Sequence, residues 1–306
     1  MPSARRLSQT LAISLVAKSS MSPISRISYK YRSGPAALRC LSEGTAYFAS
    51  PSELNDSLEA KFDLAKTSDF LAATTNALNE LAARRGLPGN YTFNEAAFQE
   101  FDAVHLAENQ RFHEASQRVG IFSAAPRPDN QPMWAYYCEG SKGVCFELEW
   151  SDDVLKRYQL WPTNVHYTKE ARIHNRAEDL RQALLSVGDL HPDWNVQQIL
   201  DFSLSDTFRR DWGIQTTARA VSTKHADWQH EAELRMLTPR YGPVPVMQDI
   251  LKRVFFVRTD FPEWGSLMML LHKLYPNVEL AKISFEHREP FVRVEPLHVK
   301  KVPAQP

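Results

Sequence analysis

The sequence lacks an excess of charge, a cysteine framework and any long apolar run, and each lack removes a class of protein. Lys plus Arg and Asp plus Glu both number 36 among 306 residues, so the formal net charge is zero. That removes a whole-molecule electrostatic case for non-specific nucleic-acid binding and leaves only a local patch open. The three cysteines, Cys40, Cys138 and Cys145, form no CxxC pair. Such an odd, sparse set fits a reducing compartment, with free thiols expected over a Cys138–Cys145 disulfide, and excludes a zinc ribbon. No apolar stretch is long enough to span a bilayer, so no membrane partner is expected. HExxH, Walker, GxGxxG and GxSxG patterns are all missing, and His225 and His230 are spaced five apart rather than the four of a helical ligand pair. No metal site is therefore expected.

Acidic residues are missing from the N-terminus as well. None precedes Glu43, while Arg5, Arg6, Lys18, Arg26, Lys30, Arg32 and Arg39 are basic. Residues 1–26, with the short apolar run Leu11–Ala17, read as a disordered or dispensable leader rather than a cleaved signal. The expected location is cytoplasmic, with a secreted effector as the alternative.

What is present is ordinary globular material, 43% hydrophobic and 24% charged, with 19 prolines and 7 tryptophans that argue against a simple helical bundle. Strands are expected at 27–32, 45–50, 120–124, 143–150, 165–167, 231–237, 254–257, 278–285 and 291–294. Helices are expected at 68–85, 94–119, 132–137, 169–187, 194–210 and 262–274. The strands are scattered among the helices without a βαβ rhythm. The fold class is α+β, with a mixed or mainly antiparallel sheet core. A single domain over 27–300 is expected, with helical insertions near 68–119 and 169–210.

Several segments place polar and aromatic side chains on strand ends and turns, where enzymes commonly hold chemistry. They are Tyr29-Lys-Tyr-Arg32, Tyr47-Phe-Ala-Ser-Pro-Ser-Glu-Leu-Asn-Asp56, Met133-Trp134 with Tyr137, Lys142-Gly-Val144, and Trp228 with Glu231-x-Glu233-x-Arg235. In this order they resemble a bacterial family catalogued as domain of unknown function 2971, over about residues 28–257. That family commonly carries Pro-Phe and an acid after Asn-Asp; here Ser57 and Leu58 precede Glu59. It often has Ser-His after the tryptophan and a His before Lys-Gly; here Ala135-Tyr136 and Ser141 stand there.

The succession Arg, aromatic-x-Ser and late Glu-x-Glu is in turn similar to ADP-ribosyltransferases of the Arg-Ser-Glu type. That resemblance implies NAD as cofactor and a macromolecular acceptor, in a toxin, effector or phage-defence setting. It also implies roles. Arg32 would hold a phosphate or ribose through its guanidinium fork. Ser50 would fix the local backbone and the catalytic glutamate. Glu233 would stabilise the oxocarbenium-like carbon, and Glu231 would orient or deprotonate the acceptor. Tyr47, Trp134 or Tyr137 would stack on nicotinamide or adenine.

Structural readings stand beside these. Arg32 could ion-pair with Glu231 or Glu233 on a neighbouring strand. Asn55 and Asp56 suit a turn as well as a ligand contact. Trp134 and Tyr137, three apart on a helix, suit a core as well as a cofactor. Two rival functions remain: a metal-dependent nuclease using Asp56, Glu59, Glu147 and Lys142, and a nucleotide sensor without turnover.

Overall fold

The computed structural model describes residues 26–55, 62–63, 66–92, 109–169, 174–285 and 292–296. The expected leader falls almost wholly outside the described residues, as do 94–108 of the helix expected over 94–119. Residues 109–118 of that helix are helical.

In chain order the elements used below are β1 Ile27–Ser33, α1 Gly34–Glu43, β2 Ala46–Phe48, α2 Thr67–Arg84, β3 Gly120–Ala124, α3 Gln131–Tyr137, β4 Gly143–Glu149, β5 Trp161–Asn164, α4 Arg176–Leu190, α5 Val196–Ser203, α6 Asp206–Ala220, β6 Leu234–Thr238, β7 Gly242–Val244, β8 Leu251–Phe256, α7 Trp264–Leu274, β9 Glu279–Phe285 and β10 Val292–Pro296. The fold is α+β and its sheets are mainly antiparallel, as the sequence implies. Among the described residues the parallel pairs include β8–β9 and the two-residue pair of Phe62–Asp63 with His174–Asn175.

The chain divides into two compact units. One takes its described residues from Leu54–Arg118 and Thr168–Lys224, the two stretches read as helical insertions. Its core joins Phe70, Ala77 and Leu81 of α2 to Leu180 and Leu184 of α4, Ile199 of α5, and Phe208 and Trp212 of α6. Helix starts are set by side chains. Asn175 accepts from the Glu178 amide at 3.1 Å, and Asn195 and Gln198 form a reciprocal capping box. The helix expected over 194–210 is broken in two. Ser205 leaves the helix and accepts from the Phe208 amide at 3.2 Å, so it caps α6. The helix expected from Lys169 begins only at Arg176, for the same reason at Asn175.

The second unit holds the described residues of Pro23–Glu53, Val119–Tyr167 and His225–Pro306. A five-stranded sheet runs β1-β4-β8-β9-β10, and a three-stranded sheet runs β3-β6-β5. They touch at one bridge, where Tyr29 and Ala125 exchange two backbone hydrogen bonds of 2.8 Å. A second bridge, Ala49–Ile121, ties β2 to the opposite end of β3. Strand alternation sorts the side chains. Val144, Phe146, Leu148, Val254 and Phe256 pack with α1, α7, β3 and β6 on one face. Tyr31, Cys145, Phe255 and Ile283 pack with Met133 and Trp134 of α3 on the other. The three cysteines are free thiols, as expected.

Gly120 shows how closely β3 is packed. A Cβ there would lie 2.6 Å from Thr238 Cγ2, 2.7 Å from the Arg240 carbonyl oxygen and 2.9 Å from Phe48 Cβ. Two of these belong to backbone or to a Cβ that cannot swing away. Gly120→Ala is expected to cost about 1–3 kcal/mol by overpacking. Urea denaturation measures it, and a midpoint equal to the parent's would show that β3 can shift.

Candidate functional site

The residues expected to form one site fall into separate groups. The first surrounds the acid pair. The strand expected over 231–237 starts only at Leu234, because Ala232 adopts φ 46° and Glu231 closes a 3₁₀ turn over Ala226–Glu231. Glu231 and Glu233 are therefore not two rungs of one strand. Glu231 is 3% exposed, and its Oε1 accepts from the Tyr137 hydroxyl at 2.7 Å. Glu233 is 7% exposed, and both its oxygens are engaged by Arg235, Nε to Oε1 at 2.7 Å and one terminal nitrogen to Oε2 at 3.1 Å. Arg235 is itself 1% exposed. The Glu233 amide donates to the Tyr167 hydroxyl at 2.8 Å, and its carbonyl accepts from the Val165 amide at 3.2 Å.

Helix α3 lies against this centre, with Pro132 in its first turn. Trp134 is fully buried; its Nε1 donates to the Pro128 carbonyl at 2.7 Å and its ring meets Tyr31 edge-on at 5.4 Å. Its place is in the core. Asn130 links the pieces, donating from Nδ2 to the His230 carbonyl at 2.9 Å and from its amide to the Tyr31 hydroxyl at 3.1 Å. Burial pushes the Tyr31 hydroxyl well above the usual phenol range. At the surface, Tyr136 is 68% exposed and lies 6.2 Å from His230, which stacks at 6.2 Å on Trp228. Two consecutive residues of α3 thus meet two consecutive residues of the 3₁₀ turn: Tyr136 with His230, and Tyr137 with Glu231.

Arg32 is elsewhere. Tyr29 and Tyr31 belong to the α3 face with Ala125, so Lys30 and Arg32 point to the opposite face of β1. Lys30 Nζ donates to the Ser123 carbonyl and lies 4.9 Å from the Phe122 ring centroid. Leu234, Ala124 and Phe122 share that face, which leaves Glu233 and Arg235 on the α3 side. The ion pair expected between Arg32 and Glu231 or Glu233 is not formed; the guanidinium on Glu233 is that of Arg235. The side-chain partner of Arg32 is the Cys40 thiol, and burial lowers its guanidinium from the ordinary value. Burial first, and then the Arg32 charge, push the Lys30 amine down to about 7.

Tyr47 and Ser50 form a third group, centred on Glu53. Glu53 Oε2 accepts from the Ser50 amide at 2.7 Å and hydroxyl at 2.9 Å, and Oε1 accepts from the Tyr47 hydroxyl at 2.8 Å. These bonds, the Ser50 amide first, hold the Glu53 carboxyl below its ordinary range. Ser50 does fix its local backbone, but for Glu53. It sits beside the Ala49–Ile121 bridge, whereas Leu234, next to Glu233, pairs with Ala124. Three residues of strand separate those positions, about 10 Å. Asn55 is exposed and belongs to the helical unit.

For the nuclease alternative, Asp56 and Glu59 lie outside the described residues. Glu147 sits in a cross-strand row Tyr29–Glu147–Arg253–Glu279, with Arg253 3.5 Å away. Burial and Glu147 together push the Tyr29 hydroxyl up to about 12. Lys142 is exposed. Among the described residues, no three His, Cys, Asp or Glu side chains cluster to hold a metal, and no helix is long and apolar enough to cross a membrane.

Sequence reasoning missed Arg235 as the partner of Glu233, although the i,i+2 spacing on a strand was a usable signal. It also missed Lys30, Asn130, Tyr136 and Tyr167. Nothing local marks Asn130 or Tyr167, whose partners are 100 and 66 residues away.

Comparison with known proteins bears on the first group. Residues 133–236 match the model of a family described as Protein of unknown function (DUF2971). Over that stretch the chain resembles DUF2971. The match contains Trp134, Tyr136, Tyr137, Glu231, Glu233 and Arg235. It does not reach Arg32, Tyr47, Ser50 or Asn55. No curated protein and no solved structure matches the chain.

Proposed function

We propose that the α3 face binds a nucleotide and that its reaction is cleavage of the nicotinamide–ribose bond of NAD, with ADP-ribose passing to a macromolecular acceptor or to water. The observation that carries this reading is the aromatic run Tyr136–His230–Trp228, exposed at Tyr136 and His230 and half-buried at Trp228, next in sequence to Glu231, whose buried carboxylate is held by Tyr137. A planar base stacks on such a run. A carboxylate next to it suits a ribose whose C1′ gains positive charge as the bond breaks. Nicotinamide leaves with the bonding electron pair; the acceptor oxygen or nitrogen attacks C1′ and loses its proton.

In this reading the roles are reassigned. Glu233 has both oxygens committed to Arg235, so it holds the start of β6 in place. Glu231 is the carboxylate assigned to the reacting carbon, oriented by the Tyr137 hydroxyl. A sensor that binds NAD without turnover is the second reading. It is favoured by the placement of Arg32 on the far face of β1, away from Glu233.

The test is NAD titration followed by tryptophan fluorescence, beside chromatographic assay of nicotinamide release. Trp228→Ala is expected to weaken NAD binding at least about tenfold, in line with about 1–3 kcal/mol for base stacking. Glu231→Gln is expected to keep binding and lower turnover about 10²-fold or more. Binding without release selects the sensor. Failure of the parent protein to bind NAD ends both readings.

A further inference from the structure

We propose that the outer face of the β2–β7 ribbon binds a proline-rich segment in polyproline II form, and that its occupant is this chain's own segment 300–306. The two strands pair antiparallel, with Pro243 directly opposite Tyr47. Ala46 and Phe48 turn inward to the core, so Tyr47 points outward. Along β7 and its flanks exposure alternates: Tyr241, Pro243 and Pro245 are exposed, whereas Gly242 and Val244 are half-buried. Tyr47 and Tyr241 are 44% and 54% exposed. They sit diagonally across the ribbon, about 7–8 Å apart. The Tyr47 ring is braced by its hydroxyl, which donates to Glu53 at 2.8 Å.

Exposed tyrosines beside prolines are the surface that takes a polyproline segment, whose preformed helix loses little freedom on docking. Glu53 adds a carboxylate at the Tyr47 side, and its bonds to Ser50 and Tyr47 keep it ionised at neutral pH. A basic residue is therefore favoured at that end of the segment. Arg240, exposed next to Tyr241, disfavours one at the other end.

The sequence holds a segment of this chemistry. Lys300 stands three residues before Pro303, and Pro306 three residues after it. With three residues per turn, the lysine and both prolines share one side of the helix, about 9 Å between successive members. The sheet topology sends this segment toward the ribbon. β10 runs antiparallel to β9 and ends with Pro296 opposite Ala281. Past Pro296 the chain heads for the Glu279 end of the sheet, the end at which β8 begins with Leu251. β7 closes at Val244, seven residues before Leu251 (251 less 244). From β10 to β8 is two strand spacings, about 10 Å. Residues 297–306 reach about 31 Å in polyproline form.

No residue of the nucleotide face takes part, so this proposal and the NAD reading can fail separately.

The experiment is limited trypsin digestion of the full chain under native conditions, with cleavage after Lys300 and Lys301 followed by mass spectrometry. A synthetic peptide of residues 297–306 sets the undocked rate. A docked segment is cut only while it is open, so the parent chain is expected to be cut at least about tenfold more slowly than the peptide. Tyr47→Ala, Tyr241→Ala and the pair Pro303→Ala with Pro306→Ala are each expected to bring the rate to within about twofold of the matching peptide's, the loss of one anchor. Cleavage after Lys273 in α7 reports general loosening and is expected to stay as in the parent. Protection that is independent of protein concentration assigns the segment to its own chain; protection lost on dilution assigns a second copy and overturns the proposal. A parent cut at the peptide's rate, or protection retained in Tyr241→Ala, overturns it as well. If Tyr47→Ala does not fold, Tyr241→Ala decides alone.

Discussion

Glu233→Gln is expected to lower folding stability by about 3–5 kcal/mol. The substitution preserves shape and some hydrogen bonding but removes the charge that faces Arg235. Both side chains are nearly inaccessible to water. The buried guanidinium keeps its desolvation cost and loses the Coulombic return of that carboxylate, which is the expensive way to break a buried pair. Urea denaturation, with the midpoint and slope compared between variant and parent, gives the number. Replacing both partners, Glu233→Leu with Arg235→Met, is expected to cost much less than the single change, because no charge is left stranded. A single variant as stable as the parent would show that the pair is hydrated. The same logic governs assays: lost turnover in Glu233→Gln is first a folding result, and Glu231→Gln is the cleaner probe of chemistry.

Lys30→Met is expected to stabilise the protein at pH 7 by about 2–3 kcal/mol. The amine titrates near 7 in the fold and at its ordinary value, 10.5, when unfolded. Its folded pKa is lowered, so between these values the unfolded chain binds more protons and stability rises with pH. Below about pH 7 the full penalty applies, about 4–5 kcal/mol at roughly 1.4 kcal/mol per pKa unit. Loss of the Ser123 bond and the Phe122 contact offsets some 1–2 kcal/mol of the gain. The difference between variant and parent should therefore be largest at pH 6–7 and shrink toward pH 10. Denaturation at matched pH values measures it. A variant less stable than its parent at pH 7 would mean that Lys30 is solvated or paired.

The sequence carried the elements better than their arrangement. Period-two alternation in Tyr29-Lys-Tyr-Arg32 and in Gly143–Glu149 marked true strands, whereas the turn after Tyr47 is held by Glu53 on the Ser50 amide and hydroxyl, and the sequence pattern assigns turn chemistry to Asn55 and Asp56 instead. Pro132 correctly opened α3. Chain breaks were harder: Ser205 looks like any polar helix residue until its hydroxyl is seen to cap α6, and an alanine with positive φ at 232 has no local signature. The grouping of site residues was hardest. Arg32, Ser50 and Glu233 are far apart in sequence, and which side of a strand each faces depends on pairings across more than a hundred residues. β1 pairs with β4, and one bridge to Ala125 then fixes which face of β3 and β6 shares its core. No local pattern encodes that register.

The sheet unit is written in three separate lengths of chain, and this sets an order on biosynthesis. β1 leaves the ribosome first, but its partner β4 is made 116 residues later, as the pairing of Ile27–Ser33 with Gly143–Glu149 requires (143 less 27). At about 5–20 residues per second, that strand waits on the order of ten seconds with an unpaired edge. The helical unit needs nothing beyond Lys224, whereas the sheet cannot set β8 against β4 until Phe256 has emerged. The helical unit can thus be complete while β1 is still waiting for half of its sheet. An aromatic strand held open for that time is a natural client for a chaperone acting on nascent chains.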